Sequence, residues 1–134
     1  MVDQRTGPFG RSNRLLKSKD FTRVGRHGAR TATPEFVVLM TKRPNALTPS
    51  IRAPRIGLST SRHVGNAVVR NRIRRQVREW FRRERLTLPP LTDVVVIARK
   101  HAATISTSKI NGSLEDAFRR NPMMKKSHED LRSP

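Results

Sequence analysis

The 134-residue chain has no cysteine and no tyrosine, and its aromatic content is only 4%. Without thiols, disulfide scaffolds, thiolate metal sites and cysteine nucleophiles are all excluded. Acids are scarce too: 10 Asp and Glu stand against 29 Lys and Arg, for a formal charge of +19. So unbalanced a chain either binds a polyanion or bears its own repulsion. The few carboxylates are dispersed, with Asp20, Glu35, Asp93 and the pair Glu115 and Asp116 in different predicted elements. They leave no clustered set for metal-assisted hydrolysis, so no catalytic and no metal-binding residue is assigned. His27, His63, His101 and His128 are scattered and expected at the surface. No apolar run approaches the roughly 20 residues of a spanning helix, and the N-terminus lacks the apolar core of a signal peptide. The expected compartment is the cytoplasm, with no membrane partner and no evident obligate protein partner.

The excess charge is mostly arginine, whose planar fork pairs bidentately with phosphate and stacks on bases. A nucleic acid is therefore the expected partner. The 34% of hydrophobic residues fall in patterned runs, so the middle of the chain folds. Residues 1–12, MVDQRTGPFGRS, show no apolar period and read as a flexible arm. From Asn13, the spacing of Leu15, Leu16 and Phe21 predicts a short helix with Ser18 and Asp20 as caps, ending near Gly25 and Gly28. A weak strand fits near Arg30. EFVVLMT, between Pro34 and Pro44, predicts a strand, and Arg43 to Pro54 a loop. RIGLSTS alternates with period two, which predicts a strand burying Ile56, Leu58 and Thr60 on one face.

After a turn at Arg62 to Gly65, Asn66 can cap a long helix on which Val69, Val77, Trp80 and Phe81 lie within roughly 80° of Ile73. DVVVIA from Asp93 predicts a strand buried on both faces. Ile110, Leu114, Ala117 and Phe118 mark a last helix that Pro122 stops, leaving residues 121–134 as a tail. The expected architecture is one α/β (α+β) sandwich, a single small mixed sheet with helices on one side. Its strands near 56 and 94 run parallel, joined through the long helix.

RHVGNAVVRNRIRRQVREWFRRER, Arg62 to Arg85, carries nine arginines and two glutamates, a net +7. Arg70, Arg74, Arg75, Arg78, Arg82 and Arg85 fan away from Ile73. Arginines at i and i+4 repel by a few tenths of a kcal/mol per pair, so such a face calls for an anionic ligand. The phosphates of a folded RNA supply one. Asn71, among the arginines, adds a donor and an acceptor suited to a base edge.

The run GLSTSRHVGNAVVRNRIRRQVREWFR resembles the signature of the bacterial ribonuclease P protein subunit. NRLLKSKDFTRVGRHG is similar to that family's first helix, and DVVVIARKHAA to its strand after the crossover, so the resemblance spans about residues 13–120. It implies a fold similar to the second domain of a ribosomal protein, with a left-handed βαβ crossover. Crossovers are right-handed in roughly 98% of cases, so pattern alone points the other way. It implies that Arg62, Asn66, Arg70, Asn71, Arg72, Arg74, Arg75 and Arg78 bind a catalytic RNA. It also implies that Phe21, with Arg14 and Lys17, lines a cleft for the single-stranded 5′ leader of precursor tRNA. The RNA would hold the Mg2+ ions and the chemistry. Where the family often has two further aromatics, this chain has Gly25 and Leu39, which implies a leader held more by charge than by stacking.

Two rival classes share some of these features. A structural RNA-binding protein of the ribosomal kind has the same charge and α/β pattern. A DNA-binding regulator would place the arginine helix in a major groove, but there is no paired helix-turn-helix spacing.

Overall fold

The computed structural model describes residues 18–43, 54–89 and 91–124. The expected N-terminal arm, Arg14 and Lys17, most of the Pro-rich loop, and the tail from residue 125 lie outside the described residues.

The order is α1 (Ser18–His27), β1 (Ala29–Ala32), β2 (Phe36–Lys42), β3 (Arg55–Ser59), α2 (Ala67–Glu84), β4 (Thr92–Ala98) and α3 (Thr107–Arg120), with 3-10 turns at Arg85–Thr87 and Lys100–Thr104. The weak strand near Arg30 is thus real, and pairs antiparallel to β2. The four strands lie in the order β1-β2-β4-β3. β2 and β4 are antiparallel, whereas β3 and β4 are parallel with Ile56 opposite Val94, as the long helical connection between them requires.

Local chemistry accounts for the boundaries. Asn66 is extended (φ −72°, ψ 177°), and its side-chain oxygen accepts from the Val69 amide, which starts α2. Ser106 does the same for α3 through Lys109. The Gly28 amide donates to Val24 O at the end of α1. Asp20, expected as a cap, instead turns inward and is buried.

β4 lies inside the sheet, and its residues alternate between two cores. Val94, Val96 and Ala98 join Phe36, Val38, Met40, Ile73, Val77, Phe81, Ile110 and Leu114 beneath α2 and α3. On the other face, Val95 meets Val24, Val37 and Leu39, with Phe21, Ala32 and Ile97 packed around them. The expectation of helices on one side is therefore corrected: α1 covers the face opposite α2 and α3. The continuous apolar runs of β2 and β4 need cover on both faces, and α1 supplies the second. Packing also continues past Arg120, because Asn121 is fully buried and Met123 and Met124 pack against the main core. The Asn121 side chain donates to Ala29 O at 2.9 Å, tying the end of α3 to β1.

Gly57, placed by its strand period on the outer face of β3, is buried because the Phe21 ring lies on it. A β-carbon there would sit 2.5 Å from Phe21 Cζ and 2.9 Å from Cε1. One at Gly25 would meet nothing within 4 Å. The two glycines should respond oppositely to alanine. Gly57→Ala should lower unfolding free energy by about 1–3 kcal/mol, as overpacking does. Gly25→Ala should raise it by up to about 1 kcal/mol through helix propensity. Urea denaturation of the two variants checks both signs.

Candidate nucleic-acid interface

α2 is held to the body by Ile73, Val77, Trp80 and Phe81, all buried, and Trp80 packs on Phe118 of α3 with ring centroids 4.6 Å apart. With that stripe fixed, its arginines leave the helix in more than one direction. Asn71, Arg74, Arg75 and Arg78, with Glu79, line an open groove of about 400 Å³. Arg74 is anchored there: its Nε donates to Thr60 Oγ1 at 2.9 Å, just past β3, and its NH1 to Asn71 Oδ1 at 3.4 Å. Arg75 is exposed. Arg70 is half-buried, and its Nε is enclosed with no hydrogen-bond partner among the described residues.

Arg72 leaves on another flank, where its NH2 donates to Ala103 O at 3.0 Å and pins the Lys100–Thr104 turn to α2. It is not part of the groove. Arg62 is exposed on the turn before α2, and Asn66, also exposed, uses its side-chain oxygen for the cap. Arg85, expected on the outer face, is instead buried, because α2 ends at Glu84 and the chain tightens into a 3-10 turn that reorients it.

Among the described residues Glu79 is the one acid lining the groove. It accepts from Arg82 at 2.9 Å, and this bond and charge, aided by Arg83, hold its carboxyl below the usual range. Glu79 is thus ionised at neutral pH, and the groove offers guanidinium donors, one amide and one carboxylate acceptor.

On the opposite face of the sheet, α1 and β3 form a second feature around Phe21, which is half-buried against Gly57 beside Val24 and Val95. Leu39 is buried in this cluster, while Gly25 points into open space. Beside it lies an ion network that charge patterning alone does not reveal. Asp93, wholly buried, accepts from Arg55 Nε at 3.0 Å and from Arg55 NH2 at 2.8 Å, and also pairs with Arg23 of α1. Arg43, 1% exposed, has its Nε 3.8 Å from the same carboxylate. Asp20 lies 3.4 Å from Arg23 and 3.8 Å from Arg55. The Asp93 hydrogen bond raises the Arg55 pKa, whereas burial lowers that of Arg43 against the pull of Asp93. Asp20 and Asp93, dispersed in sequence, therefore meet. Their carboxylates face guanidinium groups, and among the described residues no three His, Cys, Asp or Glu side chains group to hold a metal ion. No helix among the described residues is long and apolar enough to cross a membrane.

The chain matches the ribonuclease P family over residues 9–121. It is 38% identical over 115 residues to the ribonuclease P protein component of Bacillus velezensis, covering 86% of this chain and 94% of that protein. It resembles the solved RNase P protein of Staphylococcus aureus with a TM-score of 0.71 and 34% identity, over 80% of this chain and 93% of that one. For the RNase P protein of Thermotoga maritima the TM-score is 0.68 and the identity 30%, over 80% of this chain and 96% of that one.

The division of labour along α2 gives a direct expectation. Arg75→Ala should weaken binding to a folded RNA and flatten the dependence of log affinity on log salt by roughly 0.7–0.9, one phosphate contact, with little change in thermal stability. Arg72→Ala should change that slope less and lower stability by about 1 kcal/mol, through the lost bond to Ala103 O. Anisotropy titrations at several salt concentrations, paired with thermal melts, separate the two.

Proposed function

The chain belongs to the ribonuclease P protein family, and from that premise we propose that its α2 groove binds a catalytic RNA while the α1–β3 cleft holds the 5′ leader of precursor tRNA. It is the protein component of an endoribonuclease holoenzyme, and an RNA partner goes with that membership. One observation carries the finer reading. β3 serves both features, with Gly57 under Phe21 on one face and Thr60, three residues on, holding Arg74 of the groove. At about 3.3 Å per residue, these points are roughly 10 Å apart along the chain. A catalytic RNA on α2 and a leader against α1 would thus be held in a fixed relation by one short strand.

The contribution of the protein is binding. Arg70, Arg74, Arg75 and Arg78 screen phosphates of the catalytic RNA, and Asn71 reaches a base edge or a phosphate-bound water. Arg62, at the turn, extends the same surface, and the Asn66 cap fixes the direction in which α2 leaves it. On the other face Phe21 offers a partly exposed ring to a leader base, a contact worth about 1–3 kcal/mol. Arg14 and Lys17 would add charge at that cleft. Because mature tRNA lacks the leader, these contacts favour the precursor and raise the efficiency of its cleavage.

Magnesium ions belong to the RNA in this scheme, where they would stabilise the attacking and leaving oxygens. Asp20 and Asp93, the acids the fold brings together, are engaged by arginine and do not suit a resident cation. The work would be cytoplasmic, where precursor tRNA is made.

The test is cleavage of a precursor tRNA by a bacterial catalytic RNA at low magnesium, with and without this protein. The expected result is faster cleavage at the mature 5′ end with the protein, and none by the protein alone. Tight RNA binding without stimulation would move the reading to a structural RNA-binding protein. Cutting by the protein alone would overturn the mechanism.

A further inference from the structure

α1 has only two apolar residues among SKDFTRVGRH, Phe21 and Val24, and only Val24 of these is fully buried. Isolated helices shorter than about 12–15 residues are marginal in water, so α1 takes its position from tertiary contacts. Two apolar side chains give it little to set its height and rotation over the sheet. Ionic contacts add to these. Arg23 reaches both Asp20, one turn earlier on its own helix, and Asp93 of β4. Arg55 of β3 bridges the same two acids, at 2.8 Å from Asp93 and 3.8 Å from Asp20. Arg55 lies opposite Asp93 in the parallel register, and Gly57, beneath Phe21, is the next residue of β3 on that face.

We infer that Asp20 and Arg23, through Asp93 and Arg55, are positioning residues that set the gap between α1 and β3, and so the geometry in which Phe21 meets the leader. This rests on the cleft reading above. The network works through orientation, because Arg23 NH1 is enclosed and its other amino nitrogen is taken up by the two acids. A lysine would keep the charge of Arg23 but lose the planar fork that spans both carboxylates.

Orientation and simple charge predict opposite results. Asp20→Asn makes the cleft more positive by one unit, so an electrostatic role alone would tighten leader binding. Arg23→Lys leaves the charge unchanged, so charge alone predicts no effect. If the network positions α1, both substitutions lower the preference of the holoenzyme for precursor over mature tRNA. The expected loss is about fivefold or more, the equivalent of one weakened stacking contact. Affinity of the protein for the catalytic RNA, measured separately, stays within about twofold, because the α2 groove is on the other face of the sheet.

The measurement is equilibrium binding of precursor and mature tRNA to holoenzyme assembled with each full-length protein, with thermal melts to confirm folding. If Asp20→Asn fails to fold, Arg23→Lys carries the test. Wild-type preference in the folded variants, tighter binding by Asp20→Asn, or a parallel fall in affinity for the catalytic RNA each overturn the inference. A wild-type protein that shows no preference for precursor would overturn the leader reading itself, and this inference with it.

Discussion

A carboxylate buried in a central strand would be strongly destabilising alone, and the pairing of Asp93 with arginines from three directions is the constraint on which one face of this protein depends. Asp93 is the second residue of β4, whose other buried residues are almost all apolar, and its side chain is completely enclosed. Burying an ion costs several kcal/mol, and removing one partner of a buried pair typically costs about 3–5 kcal/mol because it strands the other charge. Here Arg55 pays that debt with two hydrogen bonds, while Arg23 and Arg43 approach from α1 and from the end of β2. The strands carrying these groups are adjacent, and among the described residues α1 is the helix whose side chains pair with the cluster. One acid thus ties the short N-terminal helix to the end of the sheet.

α2 shows the opposite electrostatic economy. Its arginines recur at i and i+4, Arg70, Arg74, Arg78 and Arg82, and such like-charge spacing weakens a helix. The helix stands because Asn66 caps it, four large apolar residues hold its inner face, and Arg74 and Arg82 find partners in Thr60 and Glu79. Its outer face is left with cations that an anionic ligand relieves. A surface that is strained in isolation and relieved on binding is what a protein working on an RNA scaffold requires. Most of its affinity would then come from phosphates and depend on salt.

The parts legible in the sequence were those governed by short-range period. The Ile73 stripe, the Asn66 cap and the double-sided burial of DVVVIA follow from spacing a few residues apart, and the structure has them. The parallel pairing of Ile56 with Val94 followed from the length of the helical connection. What the sequence hid depends on contacts across long separations. A short amphipathic helix does not say which face of a sheet it covers, so the place of α1 was unreadable. Asp20 and Asp93 are 73 positions apart by their numbering, and no local rule brings them together. Arg43 and Arg85 are buried against the strong tendency of arginine to stay in water, and only the end of β2 and the 3-10 turn after α2 explain it. Arg72 belongs by motif with its neighbours, yet the carbonyl of Ala103 turns it away from the groove.

β3 is where these two economies meet. Among the described residues it is an edge strand, paired to β4, and Thr60 just past its end holds Arg74 while its other face lies beneath Phe21. At its first residue, Arg55 is fixed by the buried acid of β4. Movement of β3 itself would disturb the arginine groove and the α1 cleft together, and the bidentate Arg55–Asp93 contact, in which neither Asp20 nor Arg23 takes part, opposes such movement. Gly57 completes the arrangement, because a side chain there would lift Phe21 and with it the helix that the ion network holds in place. The sheet core gives this protein its stability, but the relation between its two binding surfaces rests on the six residues from Arg55 to Thr60 and the acid beside them.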